Sequence, residues 1–159
     1  MSVRKEELAK AMKVLNKIIT LDQSGEFNFE PIINKAREEN DWEEEYAREV
    51  FRNFCVYIAI AGTASFGAVP VSPIDEFWHT FILHTRSYAR FCKLVFNKHL
   101  HHQPGDGSEE TKERFSENKA KTGELFEALS GKSYFESCDE SENNGCSCDD
   151  CSASCDCCP

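Results

Sequence analysis

Apolar residues recur every three or four positions along most of the chain, which is the spacing of one face of an α-helix. This spacing predicts five helices, at about residues 3–20, 28–39, 41–61, 73–97 and 109–130. No segment longer than a few residues alternates between apolar and polar side chains, as a half-buried strand would. We therefore predict an all-α fold, a bundle of four to five helices.

Local sequence signals indicate where two of these helices begin. Ser72-Pro73 joins a capping residue to a proline at the first helical position, which is a common helix start. Asp41, with Glu44 three residues later, resembles a capping box and predicts the start of the helix at 41–61. The helix at 73–97 is the most apolar of the set, and we expect it to be the most central.

The composition changes near residue 132, and this change divides the chain into two parts. Residues 1–131 contain all of the predicted helices, whereas Ser, Asp, Glu, Asn, Gly and Cys dominate the remainder. A segment with no large apolar side chain after Phe135 cannot bury enough surface to fold on its own. The sequence predicts a helical domain, residues 1–131, and a flexible, disordered, acidic Cys-rich C-terminal tail, residues 132–159.

The net charge and the cysteine content limit the classes of function that the chain can have. The net charge is −10, of which residues 132–159 contribute −6. A mildly acidic body without a basic stripe argues against nucleic acid and membrane as partners. The N-terminal helix carries charges throughout, unlike a signal peptide, and no apolar run approaches the roughly 20 residues of a membrane span. We expect a cytoplasmic protein, in which nine cysteines favour metal binding over disulfides.

All five histidines lie between residues 79 and 102. Asp75 and His79 are four residues apart, so their side chains can meet on one helix face, whereas His84 lies about 140° further round. The turn after this helix can bring back His101 and His102. Because two imidazoles and a carboxylate bind zinc and non-haem iron, these four residues predict a centre for zinc or another transition metal.

A structural interpretation of the same residues stays open. An aspartate and a histidine four residues apart often only satisfy each other's hydrogen bonds, and the adjacent His101 and His102 can form a surface turn. We expect His84 to pack at the edge of the core and His99 to interact with a helix C-terminus. Cys55 and Cys92 occupy apolar helix positions and are predicted to be inert core cysteines.

Several of these residues also belong to a motif that is similar to that of a known protein family. Pro-x-Asp-x-x-Trp-His-Thr at 73–80, then Tyr88, Phe91-Cys92 and Leu-His-His-x-Pro at 100–104 resemble the glycine-rich domain-containing protein-like family, in particular its short bacterial relatives. The resemblance covers about residues 41–105 and implies a helical domain without an established chemistry. Members often carry a second histidine where this chain has Phe81. A cysteine-rich tail stands in place of the glycine-rich extension of the longer members.

The tail holds six closely spaced cysteines: Cys146, Cys148, Cys151, Cys155, Cys157 and Cys158. Their Cys-x-Cys, Cys-x-x-Cys and Cys-Cys steps resemble the building blocks of metallothioneins. Thiolates at such spacings can share a zinc ion or a small copper(I) cluster. Two alternatives stay open, because the tail can also be a substrate that a partner enzyme modifies or an appendage without a defined ligand.

No common enzyme motif occurs in the chain: His-Glu-x-x-His, Gly-x-Ser-x-Gly, a phosphate loop and a dinucleotide fingerprint are all missing. The sequence therefore favours a metal-binding or metal-handling protein, with a metal-exchanging or tail-modifying protein as its partner. One alternative is a metal-dependent enzyme that uses the Asp/His centre. The other is a scaffold or precursor protein whose tail is modified by a partner enzyme. The oligomeric state stays open.

Overall fold

The computed structural model describes residues 5–103 and 108–134, apart from the side chains of residues 109 and 110. Within these ranges the chain forms six helices and no strand, which confirms the predicted all-α fold. The helices are α1 (Lys5–Ser24), α2 (Glu30–Asn40), α3 (Glu44–Thr63), α4 (Ile74–Leu83), α5 (Thr85–Phe96) and α6 (Glu109–Ser130). None of the described helices is long and apolar enough to cross a membrane.

The central element is α3, which packs against α1, α2, α4 and α6. Every residue from Phe54 to Ile60 is apolar and buried. A helix that is apolar all round belongs in a protein interior. The prediction that the helix at 73–97 is the most central is therefore wrong. Its first half, α4, packs against α2, α3 and α5.

The predicted helix at 73–97 is divided at His84. In a continuous helix the backbone N–H of His84 would donate to the carbonyl of Thr80. Instead the imidazole Nδ1 of His84 lies 2.9 Å from that carbonyl, and because a carbonyl only accepts, Nδ1 carries the proton. The backbone N–H of His84 donates instead to the backbone carbonyl of Phe81 at 3.0 Å. The side chain thus takes the acceptor that helix continuation needs, and α5 begins anew at Thr85.

Asp41 ends α2 and does not start α3. Its backbone is left-handed, with φ 54° and ψ 44°, and it forms the C-cap of α2. Helix α3 begins at Glu44 without a side-chain cap, so the predicted capping box is wrong.

Helix α6 begins and ends as predicted. Ser108 caps its start by accepting a hydrogen bond from a backbone N–H in the first turn, and Gly131, with φ 71°, closes its end.

A cluster of phenylalanine rings joins α3, α4 and α5 to the connection between α1 and α2. Phe81 is fully buried in this cluster. Its ring centroid lies 5.1 to 6.1 Å from those of Phe27, Phe29, Phe54 and Phe91. Such offset and edge-on ring pairs add to the burial of apolar surface. Two of these rings, Phe27 and Phe29, precede α2, which begins at Glu30 and not at residue 28 as predicted.

Tyr134, three residues beyond the predicted limit of the helical domain, is also part of the core. Its side chain is fully buried, its ring packs 4.8 Å from that of Phe126, and its hydroxyl donates to the carbonyl of Val69. The backbone N–H of Val69 donates in turn to the Thr122 hydroxyl on α6 at 3.1 Å. The helical body therefore extends at least to Tyr134.

Gly62 lies where the end of α3 meets Phe96. A β-carbon at this position would lie 2.1 Å from an atom of the Phe96 ring. We expect Gly62→Ala to lower the free energy of unfolding by about 1 to 3 kcal/mol, because the partly buried Phe96 ring must move away from the new β-carbon. In the control Gly67→Ala, the new β-carbon has its nearest neighbour at 3.7 Å, and we expect a change within about 0.5 kcal/mol. Urea unfolding measures both, and equal stabilities would contradict the close approach.

Candidate metal centre

The ligand atoms of three side chains converge between α4 and the segment that follows α5. Asp75 and His79 lie one turn apart on α4, and His102 comes from the later segment. The Nε2 atom of His102 lies 2.8 Å from Asp75 Oδ1 and 2.9 Å from His79 Nε2. The third separation, between Asp75 Oδ1 and His79 Nε2, is 3.4 Å. We call these three residues the Asp–His cluster.

The donor atoms of the Asp–His cluster suit a transition-metal ion. Two imidazole nitrogens and one carboxylate oxygen form a donor set used by zinc and by non-haem iron. Metal–ligand bonds of about 2.0 to 2.2 Å place neighbouring ligand atoms about 3.3 to 3.6 Å apart in the tetrahedral geometry of zinc. The separation of 3.4 Å falls in this range, whereas the separations of 2.8 and 2.9 Å lie below it. These two contacts must therefore lengthen by about half an ångström for a zinc ion to enter.

The three side chains differ in their access to solvent. The side chain of His102 is 16% exposed, that of Asp75 is 33% exposed and that of His79 is 56% exposed. The cluster is thus anchored on the His102 side and open on the His79 side. A site with three protein ligands and one open side is typical of catalytic or exchanging metals, because structural zinc sites are closed by four.

A hydrogen-bonded arrangement also accounts for these distances. The proton on His102 Nε2 can be shared between Asp75 Oδ1 and an unprotonated His79 Nε2, both within 2.9 Å. Both acceptors are then satisfied without an ion. A bound metal would replace that proton, because imidazole coordinates only through an unprotonated nitrogen. The two arrangements therefore differ in whether the cluster takes up an added ion.

Trp78 and Tyr88 hold the His102 side in place. The imidazole of His102 stacks on the Trp78 ring, with centroids 4.2 Å apart and planes 10° from parallel. The indole Nε1 of Trp78 donates to the Tyr88 hydroxyl at 3.0 Å, and that hydroxyl donates to the carbonyl of Leu100. Burial raises the pKa of Tyr88, so the hydroxyl stays a donor at neutral pH. A core network thus fixes the backbone two residues from His102.

The other histidines do not join the cluster. His101 is exposed, and its ring lies edge-on to that of His99 at 4.6 Å. His99 also packs edge-on against Tyr88 at 5.4 Å. His84 is partly buried and donates to a backbone carbonyl. Of the four residues predicted to form the centre, the structure brings together Asp75, His79 and His102 and leaves His101 apart.

Cys55 and Cys92 are free thiols buried in the core. Burial raises the pKa of both thiols, so both stay protonated at neutral pH. A protonated thiol is a poor nucleophile and a poor metal ligand, which agrees with the prediction that these two are inert. The tail cysteines lie outside the described residues: Cys146, Cys148, Cys151, Cys155, Cys157 and Cys158.

The Tyr88 hydroxyl gives a test of the support behind His102. We expect Tyr88→Phe to weaken zinc binding at the Asp–His cluster by about 10-fold, because groups that position a ligand typically contribute this much. Tyr134→Phe is the matched control, since it removes another buried hydroxyl that donates to a backbone carbonyl, far along the chain next to α6. Both variants should be less stable by about 1 to 3 kcal/mol. Competition with a zinc-binding dye measures the affinity, and equal affinities in the two variants would contradict the role of Tyr88.

Comparison with known proteins gives a family but no chemistry. A family model described as UCP032817-like matches residues 16–121, which include Asp75, His79 and His102. No curated protein and no solved structure matches the chain. The resemblance to the glycine-rich domain-containing protein-like family stays a prediction. Because the match spans well over half of its length, the chain belongs to the UCP032817-like family.

Proposed function

We propose that this protein binds zinc or another transition-metal ion at Asp75, His79 and His102 and that it handles this metal as its function. The observation that carries the proposal is the convergence of the three ligand atoms within 3.4 Å of one another. An ion held there would supply a Lewis acid with positions open to water or to an exchanging ligand.

The surroundings of each side chain suggest a division of roles. His102 is the anchoring ligand, because Trp78 covers its ring. Asp75 contributes the oxygen donor, which lies 2.8 Å from His102 and 3.4 Å from His79. His79 is the most exposed of the three, so its side chain can turn away at low cost and let an ion enter or leave. This asymmetry favours metal handling over permanent storage.

The cysteine-rich tail is proposed as a second metal-binding element on the basis of its spacing alone. Thiolates are softer donors than imidazole and carboxylate, so the tail and the Asp–His cluster would prefer different ions. A cytoplasmic location, in which the thiols stay reduced, suits this role. A metal-exchanging protein is the partner that such a function requires.

Cobalt(II) titration tests the proposal, because thiolate and imidazole ligands give different absorption bands. The full chain is compared with a chain in which the six cysteines from Cys146 to Cys158 are serine. We expect the serine chain to bind one cobalt ion without thiolate bands, and Asp75→Ala in that chain to abolish this binding. Failure of the serine chain to bind cobalt would contradict the Asp–His cluster as a metal site. Binding that survives Asp75→Ala would contradict it as well.

One observation favours a second candidate, a metal-dependent enzyme. A cavity of about 500 Å³ lies beside His102 and is lined in part by Tyr57, Trp78, Leu100 and Phe115. A mostly apolar cavity next to a metal ligand is a common setting for a substrate. Turnover of a panel of ester and phosphoester substrates that requires added zinc and disappears in His79→Ala would favour the enzyme. Zinc binding without turnover would favour metal handling.

The precursor alternative concerns the tail alone. If a partner enzyme modifies the tail, mass spectrometry of the protein from its native cells should find altered masses on peptides between Cys146 and Cys158. Unmodified cysteines in all of these peptides would remove the precursor hypothesis and leave metal binding as the proposed role of the tail.

A further inference from the structure

A second pocket, of about 350 Å³, shares no residue with the Asp–His cluster. It lies between the start of α2 and the first turns of α5. Its lining residues are Phe27, Asn28, Pro31, Arg86, Ser87 and Arg90. Among the residues that the structure describes, two arginines and no acidic residue line this pocket, in a chain with a net charge of −10. The pocket is therefore positively charged, in contrast to the chain as a whole.

The polar side chains of this pocket all offer hydrogen-bond donors. The guanidinium groups of Arg86 and Arg90 only donate, and the Ser87 hydroxyl can donate. The Oδ1 atom of Asn28 already accepts from the backbone N–H of Glu30 at 3.1 Å. The amide group of Asn28 therefore has its Nδ2 donor left. Donors of this kind complement a group that only accepts, and an oxyanion is such a group.

The two arginines differ in the contacts that their guanidinium groups make. Arg90 donates to the backbone carbonyl of Glu26 at 3.0 Å, and its guanidinium carbon lies 5.6 Å from the centroid of the Phe27 ring. A guanidinium held by a carbonyl and a ring loses little freedom when it binds a ligand. Arg86, one turn earlier on α5, makes no hydrogen bond or ion pair with any residue that the structure describes. Its charge is available to a ligand.

We propose that this pocket binds a phosphate monoester, with its phosphate between Arg86 and Arg90. A phosphate monoester carries nearly two negative charges at neutral pH, which two guanidinium groups balance, and its oxygens suit the fork of an arginine side chain. The pocket volume of about 350 Å³ leaves room beyond the phosphate for a small organic group against Pro31. This site is independent of the metal proposed for the Asp–His cluster.

Isothermal titration calorimetry with phenyl phosphate tests this site on the full chain, freed of metal by a chelator. We expect binding to the wild type that Arg86→Gln weakens by about 10-fold, the effect of one charge-assisted hydrogen bond. Arg52→Gln is the control, because Arg52 is an exposed arginine on α3 and its replacement changes the net charge equally. We expect phenyl phosphate to bind more tightly than benzoate, which has one charge.

Three results would overturn the proposal. Equal weakening by Arg86→Gln and Arg52→Gln would mean that the ligand senses only the overall charge. Tighter binding of benzoate than of phenyl phosphate would contradict the assignment of a phosphate. No heat of binding at millimolar phenyl phosphate would contradict the site itself. Because Arg86 is exposed, Arg86→Gln should leave the urea unfolding curve unchanged, which separates loss of binding from loss of fold.

Discussion

Replacing His102 with alanine is expected to lower the zinc affinity of the Asp–His cluster by about 100-fold or more. Loss of a group that only positions a ligand already costs about 10- to 100-fold, and His102 is itself one of three ligands. It is also the least exposed of the three, at 16%, so water cannot easily take its place. A zinc competition titration measures the effect in the chain whose tail cysteines are serine.

His101→Ala is the matched control for this prediction. It removes an imidazole one residue away, but the ring of His101 lies against His99 and outside the cluster. We expect its zinc affinity to equal that of the unchanged chain. A loss as large as that of His102→Ala would mean that both imidazoles bind the ion, as the sequence alone suggested, and that the observed separation of the two side chains is wrong.

Replacing Phe81 with alanine is expected to lower the free energy of unfolding by about 3 to 5 kcal/mol, which is typical for a fully buried phenylalanine. Phe81 contacts rings from α3, α5 and the connection between α1 and α2. Truncation therefore opens a cavity where several elements meet. Because native domains are only marginally stable, this loss would be a large part of the total.

Leu83→Ala is the control for Phe81→Ala on the same helix. The side chain of Leu83 is 75% exposed, so we expect a change within about 0.5 kcal/mol. Urea unfolding followed by circular dichroism measures both variants. A loss below about 1 kcal/mol in Phe81→Ala would contradict its place at the centre of the phenylalanine cluster.

The sequence predicted all three residues of the Asp–His cluster but added His101, which the structure leaves apart. The contact between Asp75 and His79 follows from helical spacing, because residues four apart always share a face. The choice between His101 and His102 could not be made this way. The two lie in a non-helical segment, where side-chain directions depend on contacts such as the stacking of His102 on Trp78. No periodicity encodes such contacts.

The features of the fold that the sequence did not predict have the same cause. The break at His84 depends on a side chain that takes a carbonyl from the backbone, and the periodic pattern of apolar residues continues through it. Phe27 is a core residue outside every predicted helix, and Tyr134 is buried beyond the last helix. Apolar periodicity thus predicted the all-α fold, whereas tertiary contacts fixed the helix break and the additional core residues.

The position of the Asp–His cluster connects the fold to the proposed function. Its His102 side rests on the core through Trp78 and the Tyr88 hydroxyl. Its His79 side faces solvent at the surface of α4. A ligand set that is buried on one side and exposed on the other suits the proposed handling of a metal, in which an ion must be both held and released.

Anomalous X-ray diffraction from crystals of the full chain grown with zinc tests the central claim most directly. The proposed site predicts a zinc peak about 2.0 to 2.2 Å from Asp75 Oδ1, His79 Nε2 and His102 Nε2 together. If saturating zinc leaves no peak there and the three side chains keep their mutual hydrogen bonds, the cluster is a structural element and the proposed metal centre is contradicted.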